Sequence, residues 1–492
     1  MQAAPSISSV GPSISPSAPS SRPRIVPDAF VLLSNWRYIE YSILRMIAGW
    51  GRCAGDWEDK LAVCYHTWLQ AQIVDRFRKR LDMYPGGKPD APVNAVFERV
   101  CNAILLAPSW QDAMAGVHGL LNPMLVKTYT DYIASSHPVH DRPTHELLRE
   151  TLGLKKQQAE WYESFRQRHP HFIDGAYKKR IEAELTALGG NLGRVIEVHG
   201  GEVARSCGSA VDFRMPVTPG RVKNWDKAPN VIPFLEMDWN HSIEARRLFF
   251  MIGYCWEMGV AEQQLRWIYS ADFMPFDFIH NESRHMWDES RHGNSGYTRL
   301  RDFGLDFEHF GYSSYGASGD GMLAPMTPKE VYEAFYGVTQ IAETGYFATK
   351  RYCFEDFATH GDDASAEMMQ YDIIDETSHV EYGRIWLEEI ASRAGVSEDY
   401  RERGSRERAM AQQKSDERVA MMRRIRAGYN PDPAETAPKH GGECVNPGSV
   451  PAAEELRSEK SFAHYQWLLT ELRGQLPLKN TADAPARPNL PM

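Results

Sequence analysis

The chain has 492 residues, 42% hydrophobic and 24% charged, which is ordinary globular composition and enough for roughly two to four domains. Its formal net charge of −10 gives no basic surface of the kind that nucleic acids or anionic membranes attract. The longest nearly apolar run, residues 248–260, contains Glu257 and is too short to span a bilayer. Its seven cysteines show no CxxC spacing, which indicates a reducing compartment. We therefore expect a cytoplasmic protein that binds neither nucleic acid nor membrane.

Changes of composition along the chain predict five regions. Residues 1–28 are mostly Ser, Pro and Ala, which predicts a disordered leader. Apolar residues at helical spacing predict an N-terminal helical domain over 29–185, and Gly and Pro then predict an irregular connector over 186–233. Residues 234–395 are again strongly helical. Residues 396–492 hold a charged helical extension, a Pro- and Gly-rich linker and a polar tail.

Helix-boundary signals in the second helical region are clear. Thr327 is a good N-cap, Pro328 suits the first helical position, and Glu330 completes a capping box. Gly395 follows a basic residue and predicts the end of a later helix.

Two short stretches of this region have the same form. Residues 288–292 read DESRH and residues 375–379 read DETSH. In each, Glu and His are three residues apart, so on a helix both point to one face and can bind one metal ion. A third match, Glu282 with His285, we interpret as fortuitous, because ExxH arises often by chance.

Each of these motifs follows an isolated glutamate in an apolar helical run. Glu257 precedes Glu289 by 32 residues, and Glu343 precedes Glu376 by 33. From 257 to 343 is 86 residues, and from 289 to 376 is 87, while each motif histidine is followed four residues later by Gly. These spacings indicate an internal duplication of a helix pair.

The spacing predicts that each isolated glutamate faces the ExxH motif that follows it. About 13 residues along one helix, a turn of about six, and 13 residues back along an antiparallel helix return the chain to the same level. Two such hairpins packed together would gather four carboxylates and two imidazoles, which two divalent ions would neutralise. The predicted metal ligands, which we also take as the catalytic residues, are Glu257, Glu289, His292, Glu343, Glu376 and His379.

The aspartates that open the two motifs have a predicted role of their own. Asp288 and Asp375 each lie four residues before a motif histidine. We expect each to orient a ligand imidazole on the partner helix. Oxygen and nitrogen donors without thiolate favour iron or manganese over structural zinc.

The paired Glu and Glu-x-x-His motifs over 234–395 resemble the ferritin-like di-iron carboxylate superfamily. The resemblance implies an all-α fold, with a ferritin-like four-helix bundle accompanied by the N-terminal helical domain and the C-terminal helical extension. It also implies two Fe ions, with Mn as the alternative metal, and O2 as co-substrate. A small-molecule substrate, an electron donor such as a reductase or ferredoxin, and a homodimer are the further expectations.

Three functions are compatible with this pattern. The leading prediction is a non-haem di-iron oxidoreductase, a monooxygenase or oxidase acting on a small organic substrate. The alternatives are a di-metal binding or storage protein and a scaffold that uses the bundle only for assembly. The complete six-ligand set argues against the scaffold.

The N-terminal region is either a structural helical domain or a worn copy of the same bundle. Glu40 lies in an apolar helix and His66 follows at a helix-pair distance, but Val63 stands where an ExxH motif needs Glu. We therefore predict no second metal centre there.

Overall fold

The computed structural model describes residues 26–170, 175–190, 192–195, 202–203, 205–209, 211–220, 250–251, 253–302, 321–396 and 400–427. This part of the chain is predominantly helical, which confirms the all-α prediction at that level. None of the helices in the described ranges is both long enough and apolar enough to cross a membrane. Residues 1–25 of the predicted leader, parts of the connector including 221–233, and the linker and tail after 427 lie outside the described residues.

The chain forms two compact units. The first comprises residues up to 43 and 73–211, and the second comprises 44–72 and the residues from 212 onward. Residues 44–72, which composition places in the N-terminal domain, thus belong to the second unit. Helix α1 (Val26–Gly51) begins inside the predicted leader, and both α1 and α2 (Trp57–Asp82) contribute to both units.

The first unit is built from helices and one short antiparallel strand pair. The strands are β1 (Val93–Asn94) and β2 (Glu202–Val203), with Val93 opposite Val203. Its other elements are α3 (Val96–Leu105), α4 (Trp110–Met114), a π-helical turn (Ala115–Leu121), α5 (Asn122–Ser135), α6 (Arg142–Arg168) and α7 (Gly175–Ala187).

A fully buried ion pair lies inside the first unit. Lys155 Nζ of α6 is 2.6 Å from Glu40 Oε2 of α1, and neither side chain is exposed. Tyr129 donates its hydroxyl to Glu40 Oε1 at 2.7 Å, and Lys155 also donates to Asn122 Oδ1 at 2.8 Å. Asn122 in turn donates to Gln158 Oε1 at 3.2 Å. We call these five residues the N-terminal polar cluster; its one carboxylate is neutralised by its own ammonium group.

The second unit contains two consecutive helical hairpins. Helix α8 (Glu257–Ser270) packs against α9 (Phe276–Asp302), α11 (Glu343–Thr359) packs against α12 (Asp363–Arg393), and α9 packs against α12, while α13 (Tyr400–Arg426) packs on α11. Strand β3 (Met215–Pro216) pairs antiparallel with β4 (Met322–Leu323). The unit also contains α10 (Pro328–Tyr336) and a π-helical turn (Gly337–Ala342).

The predicted helix boundaries in this unit are confirmed. Thr327 forms a capping box, since its side chain accepts from the amide of Glu330 and the Glu330 carboxylate accepts from the amide of Thr327. Pro328 is the first residue of α10. Helix α12 ends at Arg393, and Gly395 follows with φ of +67°.

The first hairpin has the dimensions that place facing ligands at one level. In the first hairpin, Ser270 at the end of α8 lies 13 positions after Glu257, and Glu289 lies 13 positions after Phe276 at the start of α9. A five-residue connection, 271–275, joins the two helices. In the second hairpin the connection is the three residues 360–362.

A close helix approach is repeated in both hairpins. A Cβ added at Gly296 of α9 would lie 2.7 Å from the Cβ of Tyr254, and one at Gly383 of α12 would lie 2.5 Å from Thr339 Oγ1. Because neither helix pair leaves room for a side chain at this point, the two glycines let the helices approach closely. Each glycine follows a predicted ligand histidine by four residues.

Candidate metal centre

The six predicted ligands come together inside the second unit, in two groups that include two further residues. Within each group every residue offers one ligand atom, and these atoms all lie within 4.8 Å of one another. The first group is His285, Glu289, Glu343 and His379. The second group is Glu257, His292, Asp372 and Glu376. All eight residues come from α8, α9, α11 and α12.

The first group is fully enclosed and holds two imidazoles and two carboxylates. His285 Nε2 lies 2.7 Å from Glu343 Oε1 and 3.3 Å from Glu289 Oε1. His379 Nδ1 lies 3.4 Å from each of the same two oxygens. The four donor atoms therefore converge on one point, as the ligands of a single cation do.

The second group holds one imidazole and three carboxylates. His292 Nδ1 lies 3.2 Å from Glu257 Oε2 and 3.2 Å from Asp372 Oδ1. Glu257 is the most exposed member, with 20% of its side chain accessible, whereas Asp372 is almost completely buried. The side of the centre nearest Glu257 is therefore the more open one.

Glu376 connects the two groups. Its Oε1 lies 3.9 Å from His292 Nδ1 of the second group, and its Oε2 lies 3.8 Å from His379 Nδ1 of the first. One carboxylate thus turns one oxygen toward each group. This is the geometry that a carboxylate needs to bridge two cations.

Asp288 and Asp375 contact the motif histidines of the opposite hairpin. His292 Nε2 lies 3.2 Å from Asp375 Oδ2, and His379 Nε2 lies 3.4 Å from Asp288 Oδ2. Each aspartate can accept the Nε2 proton, so that the Nδ1 lone pair points into the metal-ligand group. These are the cross-helix contacts that the sequence analysis expects of the two aspartates.

Two arginines balance the charge of these aspartates on the outer side of the centre. Arg284 Nε lies 2.8 Å from Asp288 Oδ2, and Arg291 Nη2 lies 2.6 Å from Asp375 Oδ2 and also pairs with Asp288. Burial raises the pKa of both carboxyl groups, but bonds from the imidazoles and guanidinium groups lower it by more, so both pKa values fall below the usual range. Both aspartates are therefore held ionised.

Of the third ExxH match, which the sequence analysis interprets as fortuitous, the structure places His285 in the first group and leaves Glu282 outside both groups. His285 is completely buried, its Nε2 faces the first group, and its Nδ1 lies 3.6 Å from Glu282 Oε1. The missed signal is the duplication itself: 285 and 372 are 87 residues apart, the offset that also relates Glu289 to Glu376. A search for identical residues misses this pair, because one hairpin has His where the other has Asp372.

The electrostatics of the centre favour cationic charge. Burial lowers the pKa of His285, His292 and His379, yet the surrounding carboxylates raise it well above the ordinary value. Burial raises the pKa of Glu257 to about 7, whereas in Glu289 hydrogen bonds from two imidazoles overcome burial and lower the pKa to about 2. The carboxylates outnumber the positive groups around them, so the site binds protons where no other cation neutralises it.

Several oxygen and nitrogen atoms that face the centre, and that could bind a metal ion, make no well-formed hydrogen bond. They include both carboxylate oxygens of Glu343, Oε2 of Glu257, and Nδ1 of His292 and His379. Buried polar atoms are costly without partners, and metal coordination would satisfy all of them at once. Nitrogen and carboxylate donors with no thiolate fit iron or manganese.

Lys350 is a third residue at the centre, beside His285 and Asp372, that the sequence analysis does not predict. It is buried on α11, and its Nζ lies 2.6 Å from Glu376 Oε1 and 2.8 Å from Asp372 Oδ2. Burial lowers its pKa, but the two carboxylates raise it well above the ordinary value. An ammonium group thus lies among the carboxylates of the second group.

The chain was compared with protein-family models, curated proteins and solved structures, and none of the three comparisons found a match.

Proposed function

We propose that this protein is a non-haem di-iron oxidoreductase of the ferritin-like type, which activates O2 to oxidise or oxygenate a small organic substrate. The observation that supports this most strongly is the pair of four-donor groups with the Glu376 carboxylate, a member of the second group, lying between their histidines. A single structural cation would need only one such group. Two adjacent groups of nitrogen and oxygen donors are typical of dinuclear carboxylate centres.

In this proposal each group holds one iron. His285, Glu289, Glu343 and His379 hold one ion, and Glu257, His292, Asp372 and Glu376 hold the other. Two bound Fe(II) ions would supply the electrons that reduce O2.

The residues around this centre orient the histidines, bury the first group and leave one side accessible. Asp288 and Asp375 accept the Nε2 protons of His379 and His292 and so fix the direction of both Nδ1 lone pairs. The buried first group excludes water. Glu257, the most exposed ligand, marks the side from which O2 and substrate would approach. Turnover of an organic substrate would also need an external electron donor, for which a reductase or ferredoxin is the proposed partner.

The test begins with metal stoichiometry. Metal-free protein is reconstituted anaerobically with Fe(II), freed of excess metal, and analysed by plasma mass spectrometry. We expect two iron atoms per chain. His379→Ala removes a donor from the first group and should lower this count, whereas the matched variant His360→Ala, in the 360–362 connection, should keep it at the wild-type value.

Reaction with O2 then separates an enzyme from a binding protein. Mixing the reduced, loaded protein with O2 in a stopped-flow spectrophotometer should give a transient visible absorption and rapid O2 consumption. Two irons per chain with no O2 reaction would contradict the oxidoreductase and favour the di-metal binding alternative. Many irons per chain would indicate storage.

A further inference from the structure

The two metal-ligand groups differ in a way that the internal duplication makes visible. Lys350 of α11 corresponds to Gln264 of α8, since 350 − 264 is 86, and Asp372 corresponds to His285, since 372 − 285 is 87. The first hairpin therefore has a neutral amide and an imidazole where the second has an ammonium group and a carboxylate. All four side chains are buried.

The ammonium group of Lys350 contacts the carboxylates of the second group directly. Its Nζ lies 2.6 Å from Glu376 Oε1, 3.0 Å from Asp372 Oδ1, 2.8 Å from Asp372 Oδ2, and 4.0 Å from Glu257 Oε1. These are the carboxylates that would ligate the second metal ion. Lys350 and that ion therefore compete for the same oxygens.

The first group has no such competitor among the ion pairs of the described residues. The groups in it that can carry positive charge are the imidazoles of His285 and His379. Once they are deprotonated, His285 Nε2 and His379 Nδ1 each present a lone pair to a metal ion. A primary ammonium group ligates nothing while charged. A cation entering the first group displaces protons, whereas one entering the second must also draw two carboxylates away from Lys350.

Building on the proposed di-metal function, we propose that Lys350 is a positioning residue that keeps the second group closed and sets the order of metal loading. The first group fills first. The second ion binds more weakly, because Glu376 and Asp372 must exchange their contact with Lys350 for the metal. Before the second ion binds, the same lysine holds these carboxylates in place and so keeps the second group assembled.

Titration of metal-free, full-length protein with Mn(II) in an isothermal calorimeter tests this order. We expect two binding steps whose Kd values differ by at least about tenfold, since one like charge close to a cation is worth more than that factor in a partly buried site. Lys350→Met should tighten the second step by about tenfold or more and leave the first nearly unchanged. The readout is affinity and does not depend on turnover.

Two controls match this substitution. Lys60→Met removes another buried lysine of the same unit, which lies 2.7 Å from Glu262 and outside both groups, and should leave both Mn(II) steps as in the wild type. The pair Lys350→Gln with Asp372→His gives the second hairpin the residues of the first. It removes one positive and one negative charge together, so it should fold even where Lys350→Met does not. We expect it to bind two Mn(II) ions with nearly equal affinity.

The outcomes separate this proposal from the one on which it rests. Two Mn(II) ions binding to the wild type with equal affinity, or a second step that Lys350→Met weakens or leaves unchanged, would overturn the role of Lys350 and leave the di-metal centre standing. Fewer than two ions bound to the wild type and to every variant would overturn both. A persistent wide gap between the two steps in the double variant would also contradict the role of Lys350.

Discussion

The N-terminal polar cluster and the candidate metal centre have side chains of different charge at positions related by one constant offset. Asn122, Lys155 and Gln158 lie 221 residues before Glu343, Glu376 and His379 respectively. In both regions a π-helical turn ends directly before the first of these residues, at Leu121 and at Ala342. We interpret the N-terminal helices as a degenerate duplicate of the second unit's helices.

The difference between the two regions lies in where the positive charge comes from. In the N-terminal polar cluster, Lys155 neutralises Glu40, and amide and hydroxyl groups complete the hydrogen bonds. In the candidate metal centre several carboxylates surround the ammonium group of Lys350, and some buried oxygen and nitrogen atoms make no hydrogen bond. One region therefore holds a self-neutralised cluster, and the other holds an excess of carboxylates that a bound cation could neutralise. Lys350 corresponds to Tyr129 at the same offset of 221. Its ammonium group neutralises part of the carboxylate charge in the candidate metal centre.

The largest expected effect is on the N-terminal polar cluster. Lys155→Met leaves Glu40 buried without its cation, so we expect the unfolding free energy to fall by about 3–5 kcal/mol. Denaturant unfolding followed by circular dichroism measures the change. The double variant with Glu40→Gln should recover most of it, and iron content should stay at the wild-type value in any variant that folds. A loss of bound iron with the fold intact would contradict the assignment of metal binding to the second unit alone.

The next effect concerns the aspartates behind the ligand histidines. Asp288→Asn keeps the size of the side chain but weakens the orientation of His379, and we expect metal affinity to fall by about 10- to 100-fold. Competition with a chelator of known affinity measures this change. Asp416→Asn, on the exposed face of α13, is the matched control and should leave the affinity unchanged. Equal affinities in the Asp288 variant and the wild type would show that the contact with His379 does not support metal binding.

The smallest expected effect concerns the hydroxyl group of Tyr129 in the N-terminal polar cluster. Tyr129→Phe removes one hydrogen bond to Glu40 and keeps the aromatic packing, so we expect a loss of about 1 kcal/mol in unfolding free energy. Calorimetric unfolding checks the value. A loss as large as that of Lys155→Met would mean that the hydroxyl, rather than the ammonium group, carries the neutralisation of Glu40.

The sequence predicts the helices of the second unit well, because their signals are local. The capping box at Thr327 and the glycine after α12 need no tertiary information. The duplicated spacing also predicts that Glu257 faces Glu289 and His292, because residue count sets the level of each residue in a hairpin. The structure brings Glu257 to His292 but places Glu289 in the other group, so each Glu-x-x-His pair is divided between the two groups. The metal-ligand role of these residues stays a prediction.

Other parts of the site depend on tertiary contacts and on residue differences between the repeats. Asp372 and His285 are equivalent by offset but not by identity, so the motif search does not find Asp372 and gives no reason to keep His285. Lys350 carries no motif, and only packing brings its ammonium group to Glu376. The two-unit division is equally non-local, since residues 44–72 join the second unit by contacts far along the chain.

Anomalous X-ray diffraction from crystals of the iron-loaded protein, recorded at the iron absorption edge, tests the central claim most directly. The account predicts two strong peaks in each chain, one among His285, Glu289, Glu343 and His379 and the other among Glu257, His292, Asp372 and Glu376. A single peak, or iron bound elsewhere with these donors uncoordinated, would contradict it.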